Sequence, residues 1–247
     1  MSDGEDSHPA KAAKKYLSGS YGSPANITNG SEAIEHLENQ DCLLLNTLSF
    51  CDTSTLCQWK RVNKRWRELC LSVIDEKCRL NNANRKPKQF LSNKDLRDAV
   101  RKYCKYEAES MEEIACLYGF PINKWDVSQM TDFGHAFYNM TEFNEDISSW
   151  DISRAESLEG MFCCAHAFNQ SLKKWDTSNV TSMWCLFYGA SSFDQKLDQW
   201  DTSSVTDLNC MFWGAVSFSH RESTLNWDLS KISAHELQHI WDGTRYA

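Results

Sequence analysis

From Ser31 to about Asn82 the apolar residues fall at helical spacings in four groups: Ile34 and Leu37; Leu44, Leu45 and Leu48; Leu56 and Trp59; Val62, Trp66 and Leu69. Short polar breaks separate the groups, and Asp52 or Ser54 is placed to cap the helix that follows Cys51. The pattern predicts three or four short helices over 32–82. A charged stretch, Asn84-Arg85-Lys86-Pro87-Lys88, interrupts it and predicts a linker over 83–91. Beyond the linker, Ser92-Asn93-Lys94-Asp95 resembles a capping box, and Leu96, Ala99, Val100 and Tyr103 then share one helical face. A second helix is expected from about Ser110 to Leu117, ending at Tyr118-Gly119. Residues 1–31, rich in Ser, Gly, Ala and Lys, show no period and are expected to form a mobile tail.

At residue 121 the pattern changes to a repeat. Trp125, Trp150, Trp175, Trp200 and Trp227 each open a Trp-Asp-x-Ser tetrapeptide, with gaps of 25, 25, 25 and 27 residues. Counted from tryptophan as position zero, Asp126, Asp151, Asp176, Asp201 and Asp228 occupy +1, and a serine always occupies +3. Positions +5, +8, +11 and +12 are mainly apolar: Met130, Phe133, Ala136 and Phe137 in the first unit, Val180, Met183, Leu186 and Phe187 in the third. That spacing predicts a helix of about ten residues capped by the +3 serine, with Ser153-Arg154-Ala155-Glu156 as a full capping box. Position +14 (Asn139, Cys164, Gly189, Gly214) suits a helix stop. A second aromatic row lies at +18 (Phe143, Phe168, Phe193, Phe218), and an aliphatic at +22 leads into a short stretch read as one strand per unit. The expected architecture is therefore α+β: an N-terminal helical module, then a right-handed αβ solenoid of about four and a half repeats over 121–247. The helices over 92–120 would cover its first core face as a cap.

The repeat pattern, carried best by Ser178-Asn179-Val180-Thr181-Ser182-Met183 and Gly189-Ala190-Ser191-Ser192-Phe193, resembles the 25-residue repeat of BspA-like and mycoplasma surface lipoproteins. That family has leucine-rich-repeat-like architecture and no known function. The resemblance covers about half the chain; it implies a protein-binding surface and transfers no catalytic residue. The segment 39–69 resembles an F-box, with Leu44, Leu45, Leu48, Phe50, Leu56, Val62, Trp66 and Leu69 in the family's apolar places. It departs from the family where Asn39-Gln40 replaces Leu-Pro and Cys51 replaces Leu. The F-box resemblance implies a Skp-type adaptor of a cullin-RING ubiquitin ligase as partner, docked through Leu44, Leu48, Phe50, Leu56, Val62 and Trp66. A plain helical core is the alternative reading of the same residues.

Charge narrows the partner. The chain carries a net −8, but residues 121–247 hold 8 Lys and Arg against 17 Asp and Glu, whereas residues 1–120 are nearly balanced. An acidic repeat array repels a phosphate backbone, so nucleic acid is excluded as its expected partner and a basic protein target is favoured. No apolar run is long enough for a membrane span, and the polar N-terminus lacks a signal-peptide core. With 11 unevenly spaced cysteines, this argues for reduced thiols in a cytoplasmic or nuclear protein that is not secreted. The sequons at Asn26, Asn139 and Asn179 are then accidental.

One catalytic motif requires weighing. His235-Glu236-Leu237-Gln238-His239 matches the H-E-x-x-H pattern of zinc metalloproteases. It falls at +8 to +12 of the truncated fifth unit, in the rows of Phe133 and Phe137, which reads as core positions turned polar at the array's end. The eight residues after His239 supply no His or Glu as a third ligand. The +1 aspartates read as turn acceptors rather than a calcium ladder, and Cys185 and Cys210 as packed thiols. No cofactor or metal is expected. The sequence thus points to a non-enzymatic adaptor, a ubiquitin-ligase substrate receptor in the main reading and an unrelated interaction or surface-type repeat protein in the alternative. Exposed, unequal repeat positions, Tyr138, Trp184, Tyr188 and Trp213, are the candidate target contacts.

Overall fold

The computed structural model describes residues 48–49, 51–58, 64–81 and 86–244. Among the described residues, the helices whose bounds are defined ahead of the repeats are α1 (Thr53–Gln58), α2 (Lys64–Asn81), α3 (Asn93–Lys105) and α4 (Ala108–Tyr118). A short α5 (Ala234–His239) follows them. α3 forms where its sequence says a helix should begin: the Ser92 side chain accepts from the Asp95 N–H, and Tyr106, at φ 54°, ends the helix in the left-handed region. Its buried face is Leu96, Ala99, Val100 and Tyr103. α4 buries Met111, Ile114, Ala115 and Tyr118, and stops at Gly119 with φ 78°. α2 and α3 both pack on α4, and α1 lies against α2 and α4.

This helical group closes the first end of the repeats with aromatic rings. Phe90 stacks on Tyr118 at 4.1 Å between centroids, and Tyr103 meets Trp125 edge-on at 5.7 Å. Arg67 of α2 reaches Glu145 of the first repeat at 2.8 Å, and Asp75 accepts the Phe120 N–H. The segment before α3 runs along the first repeat, where Phe90 N–H donates to the Asp126 carbonyl.

The repeats overturn the expected αβ solenoid. Between Trp125 and His220 no residue is helical, and among the described residues there is no strand. The nearest thing to a sheet is a row of isolated parallel bridges, Asp132 to Ser157, Ser157 to Ser182 and Ser182 to Asp207. The strand expected at +22 onward is a turn, in which Trp150 N–H donates to the Ile147 carbonyl. Ser153 opens no helix, since its N–H and hydroxyl both go to Asp151 Oδ1.

What replaces the helix is a chain of interlocked turns stacked unit on unit. Alternate N–H groups leave the unit: those of Phe133, His135, Phe137 and Asn139 donate to the carbonyls of Ser157, Glu159, Met161 and Cys163 in the next one. The N–H groups between them stay local, Ala136 donating to Phe133, Tyr138 to His135 and Met140 to Phe137. The second and third units repeat this scheme. An α-helix would need all these donors within its own segment, so the ladder between units and the helix are mutually exclusive. The backbone confirms it: position +10 (His135, Gly160, Cys185, Cys210) and position +14 (Asn139, Cys164, Gly189, Gly214) all have positive φ, between 51° and 70°. A left-handed residue at +10, mid-segment, stops any right-handed helix.

The core is a set of aromatic ladders. Phe137, Phe162, Phe187 and Phe212 stack at 5.4, 5.7 and 5.6 Å, and Phe143, Phe168, Phe193 and Phe218 at 5.9, 6.1 and 6.0 Å. Each buried ring contributes roughly 1.5–3 kcal/mol by area. The tryptophans line a third edge, and each indole N–H finds a carbonyl: Trp150 donates to Ile122, Trp175 to Ile147, Trp200 to Leu172 and Trp227 to Leu197. Both phenylalanine ladders end on one residue, Trp241, at 4.9 Å from Phe212 and 6.0 Å from Phe218. Arg221 covers the outer region of that ring at 5.1 Å from its centroid. From the repeat register His239 is expected in the row of Phe137 and Phe212, with His235 in that of Phe133 and Leu208; the longer last unit instead brings Trp241 onto the ends of the Phe212 and Phe218 ladders.

Candidate functional site

Because side chains at +8, +11 and +12 point into the ladders, those at +9, +10 and +13 face outward on the same edge of the stack. In the first three units that edge carries His135, Tyr138, Glu159, Cys163, Trp184, Cys185 and Tyr188. With Arg97 and Arg101 of α3 they line an open groove of about 730 Å³. Tyr138 is 50% exposed and Trp213, one unit beyond the groove, 40%. Trp213 lies 6.4 Å from Tyr188 with the rings nearly parallel, at 11°. Of the residues chosen from sequence as unequal repeat positions, Tyr138, Trp184 and Tyr188 thus line one groove, and Trp213 extends it from Tyr188.

The groove's polar groups are few. His135 meets Tyr138 edge-on at 5.6 Å, and its Nε2 lies 3.8 Å from Glu159 Oε1. Arg101 is 3.7 Å from Asp98, whose other oxygen holds Lys94 at 2.7 Å. Burial pushes the Cys163 and Cys185 thiols up to about 12, with neighbouring thiols adding to the shift, so both are uncharged near neutrality and poor nucleophiles. Such an edge can stack and hold a ligand through aromatic faces and guanidinium groups.

The invariant residues do other work. Asp126, Asp151 and Asp176 each accept from both the N–H and the hydroxyl of the serine two residues on, at 2.7–3.2 Å. Asp201 and Asp228 accept the corresponding N–H groups of Ser203 and Ser230. These bonds hold Asp126, Asp201 and Asp228 below the ordinary carboxylate range: the Ser128 hydroxyl is the main cause for the first, backbone N–H groups for the other two. Each carboxylate closes its own turn.

Of the residues assigned by resemblance to adaptor contact, Leu48 and Leu56 are fully buried. Leu44, Phe50 and Val62 lie outside the described residues, and Trp66 lies in α2 with its side chain outside the description. At the other end of the chain, Glu236 closes a capping box with Ser233, its Oε2 accepting the Ser233 N–H and hydroxyl. His235 and His239 are 5.0 Å apart by ring centroid, and His239 Nδ1 meets Asp242 Oδ2 at 2.8 Å. Among the described residues no group of three or more His, Cys, Asp and Glu is placed to hold a metal ion. No helix among them is long and apolar enough to cross a membrane.

Sequence reasoning missed Arg97 and Arg101, which sit on the helix expected only to cap the repeats. Their spacing of four residues, flanking the buried face of Leu96 and Val100, was the available signal. It also missed Trp241, whose position depends on the irregular length of the last unit.

Residues 105–227 match the model of a family described as "Mycoplasma protein of unknown function, DUF285". The match takes in α4 and the units from Trp125 to Trp227. No curated protein and no protein of solved structure matches the chain.

Proposed function

We propose that the chain is a non-enzymatic protein-interaction module whose repeats present the groove of Tyr138, Trp184 and Tyr188, extended by Trp213, to a partner. The observation that carries this reading is the division of labour along the repeat. Positions that recur in every unit are used internally, while large aromatic side chains appear on the outer edge at positions that differ from unit to unit. Exposed aromatics with stiff, amphipathic side chains are the groups that most often anchor interfaces. The family match over the repeats supports an interaction or surface-type repeat protein. Nothing in the comparisons points to an F-box or to ubiquitin ligation.

Site-specific photo-crosslinking tests the proposal. A benzophenone side chain placed at Tyr138 in the full chain should give a discrete protein adduct in an extract of the producing cells, and Trp184→Ala should abolish it. The same probe at Lys174, exposed at the end of the second unit, should give none. Equal adducts at both positions, or an adduct indifferent to Trp184→Ala, would contradict the proposed surface.

A further inference from the structure

The net charge of the repeats and the charge of the groove have opposite signs. Residues 121–247 are strongly acidic, yet among the described residues Glu159 is the one carboxylate lining the groove, and it lies beside His135. The same groove is lined by Arg97 and Arg101, one helical turn apart on α3. α3 itself carries Lys94, Arg97, Arg101, Lys102 and Lys105 against Asp95 and Asp98. Asp98 is engaged by Lys94 and Arg101 on the exposed side of the helix, while no ion pair among the described residues holds Arg97. A ligand seated on Tyr138, Trp184 and Tyr188 therefore meets two guanidinium groups, each a planar fork of donors matched to carboxylate geometry.

We propose that the groove's partner is an acidic protein segment, one that interleaves Asp or Glu with aromatic or aliphatic residues. Its carboxylates would meet Arg97 and Arg101, and its apolar side chains the Tyr138–Trp184–Tyr188 floor. This deepens the reading of the groove as the interaction surface and rests on it. It also reverses the partner inferred from overall charge: within a few ångströms of a bound segment the local guanidinium groups outweigh distant carboxylates, which salt screens beyond about 8–10 Å. The acidic remainder of the array then repels segments that lack an apolar anchor and cannot reach the arginines, which sharpens selectivity.

The test is selection from a random peptide display library with the full-length chain as bait, run in parallel on Arg97→Ala/Arg101→Ala and Trp184→Ala. Peptides enriched on the wild type should pair Asp or Glu with apolar residues. A synthetic version of the leading peptide should bind at least about tenfold more weakly to the double arginine variant and to Trp184→Ala, with affinity falling as salt rises. Its Asn/Gln counterpart should lose affinity similarly on the wild type. Enriched peptides that are neutral or basic, yet still depend on Trp184, would overturn the acidic assignment and leave the groove reading standing. Binding of neutral oligosaccharides through Trp184, with no acidic peptide enriched, would also overturn it. Enrichment that is absent, or indifferent to both variants, would remove this inference and the groove reading together.

Discussion

Gly160 has a φ of 55°, and a β-carbon built on it would sit 2.4 Å from the His135 imidazole of the preceding unit. It shows how a residue's backbone and the groove are coupled. An alanine there must adopt a left-handed conformation and displace a groove side chain, so Gly160→Ala is expected to destabilise the chain by about 1–2 kcal/mol. Urea unfolding measures this, and an unchanged midpoint would mean that the left-handed turn at +10 is not held in solution. The turn aspartates give a second residue-scale expectation. Their folded-state values are depressed, so their contribution is fully present above the unfolded value near about 4 and is lost as pH falls through the lower folded values. Replacing Asp126, Asp201 and Asp228 together by Asn keeps a side-chain acceptor in each turn but removes the titration. The fall in melting temperature on acidification should be shallower in that variant than in the wild type; an identical slope would contradict the assignment.

At the scale of elements, the ladders make each rung depend on two neighbours. Phe187 touches Phe162, Phe193, Phe212 and Trp200, all at centroid distances of 3.8–6.2 Å. Phe187→Ala should therefore cost about 3–5 kcal/mol, read by denaturant unfolding. Trp241→Ala should act locally instead: the Phe212 and Gly214 N–H groups, which donate to Ile240 and Asp242, should exchange faster with deuterium while those of the first unit keep their protection. Loss of protection throughout would show that the end of the stack is not a separate element. The period, the register and the buried rows were legible in the sequence, because core burial forces the same residue classes into every unit. The backbone conformation was not. Interlocked turns bury +5, +8, +11 and +12, which is the spacing a helix would bury, so hydrophobic periodicity could not distinguish the two. The deciding groups were N–H and carbonyl partners in the next unit, invisible to a reading of one segment at a time, although cysteine and histidine at +10 carried no helix-breaking signal of their own.

Across the whole molecule, the recurrent residues form the scaffold and the unequal ones form its surface. The aromatic edge could be anticipated from repeat alignment alone, since Tyr138, Tyr188 and Trp213 share position +13 and Trp184 lies four residues before Tyr188. The arginine wall could not, because it comes from a helix outside the repeat and reaches the groove only through the packing of α3 on the first unit. Whether scaffold and binding surface are separable in one repeat is decided by measuring stability and Tyr138 crosslinking together for Phe187→Ala, and for Trp184→Ala with Tyr188→Ala. Phe187→Ala should lower the unfolding midpoint sharply, whereas the groove pair should leave that midpoint nearly unchanged and abolish the adduct. Unfolding by the groove pair would show that these side chains belong to the scaffold, and a full adduct yield from it that they do not form the binding surface.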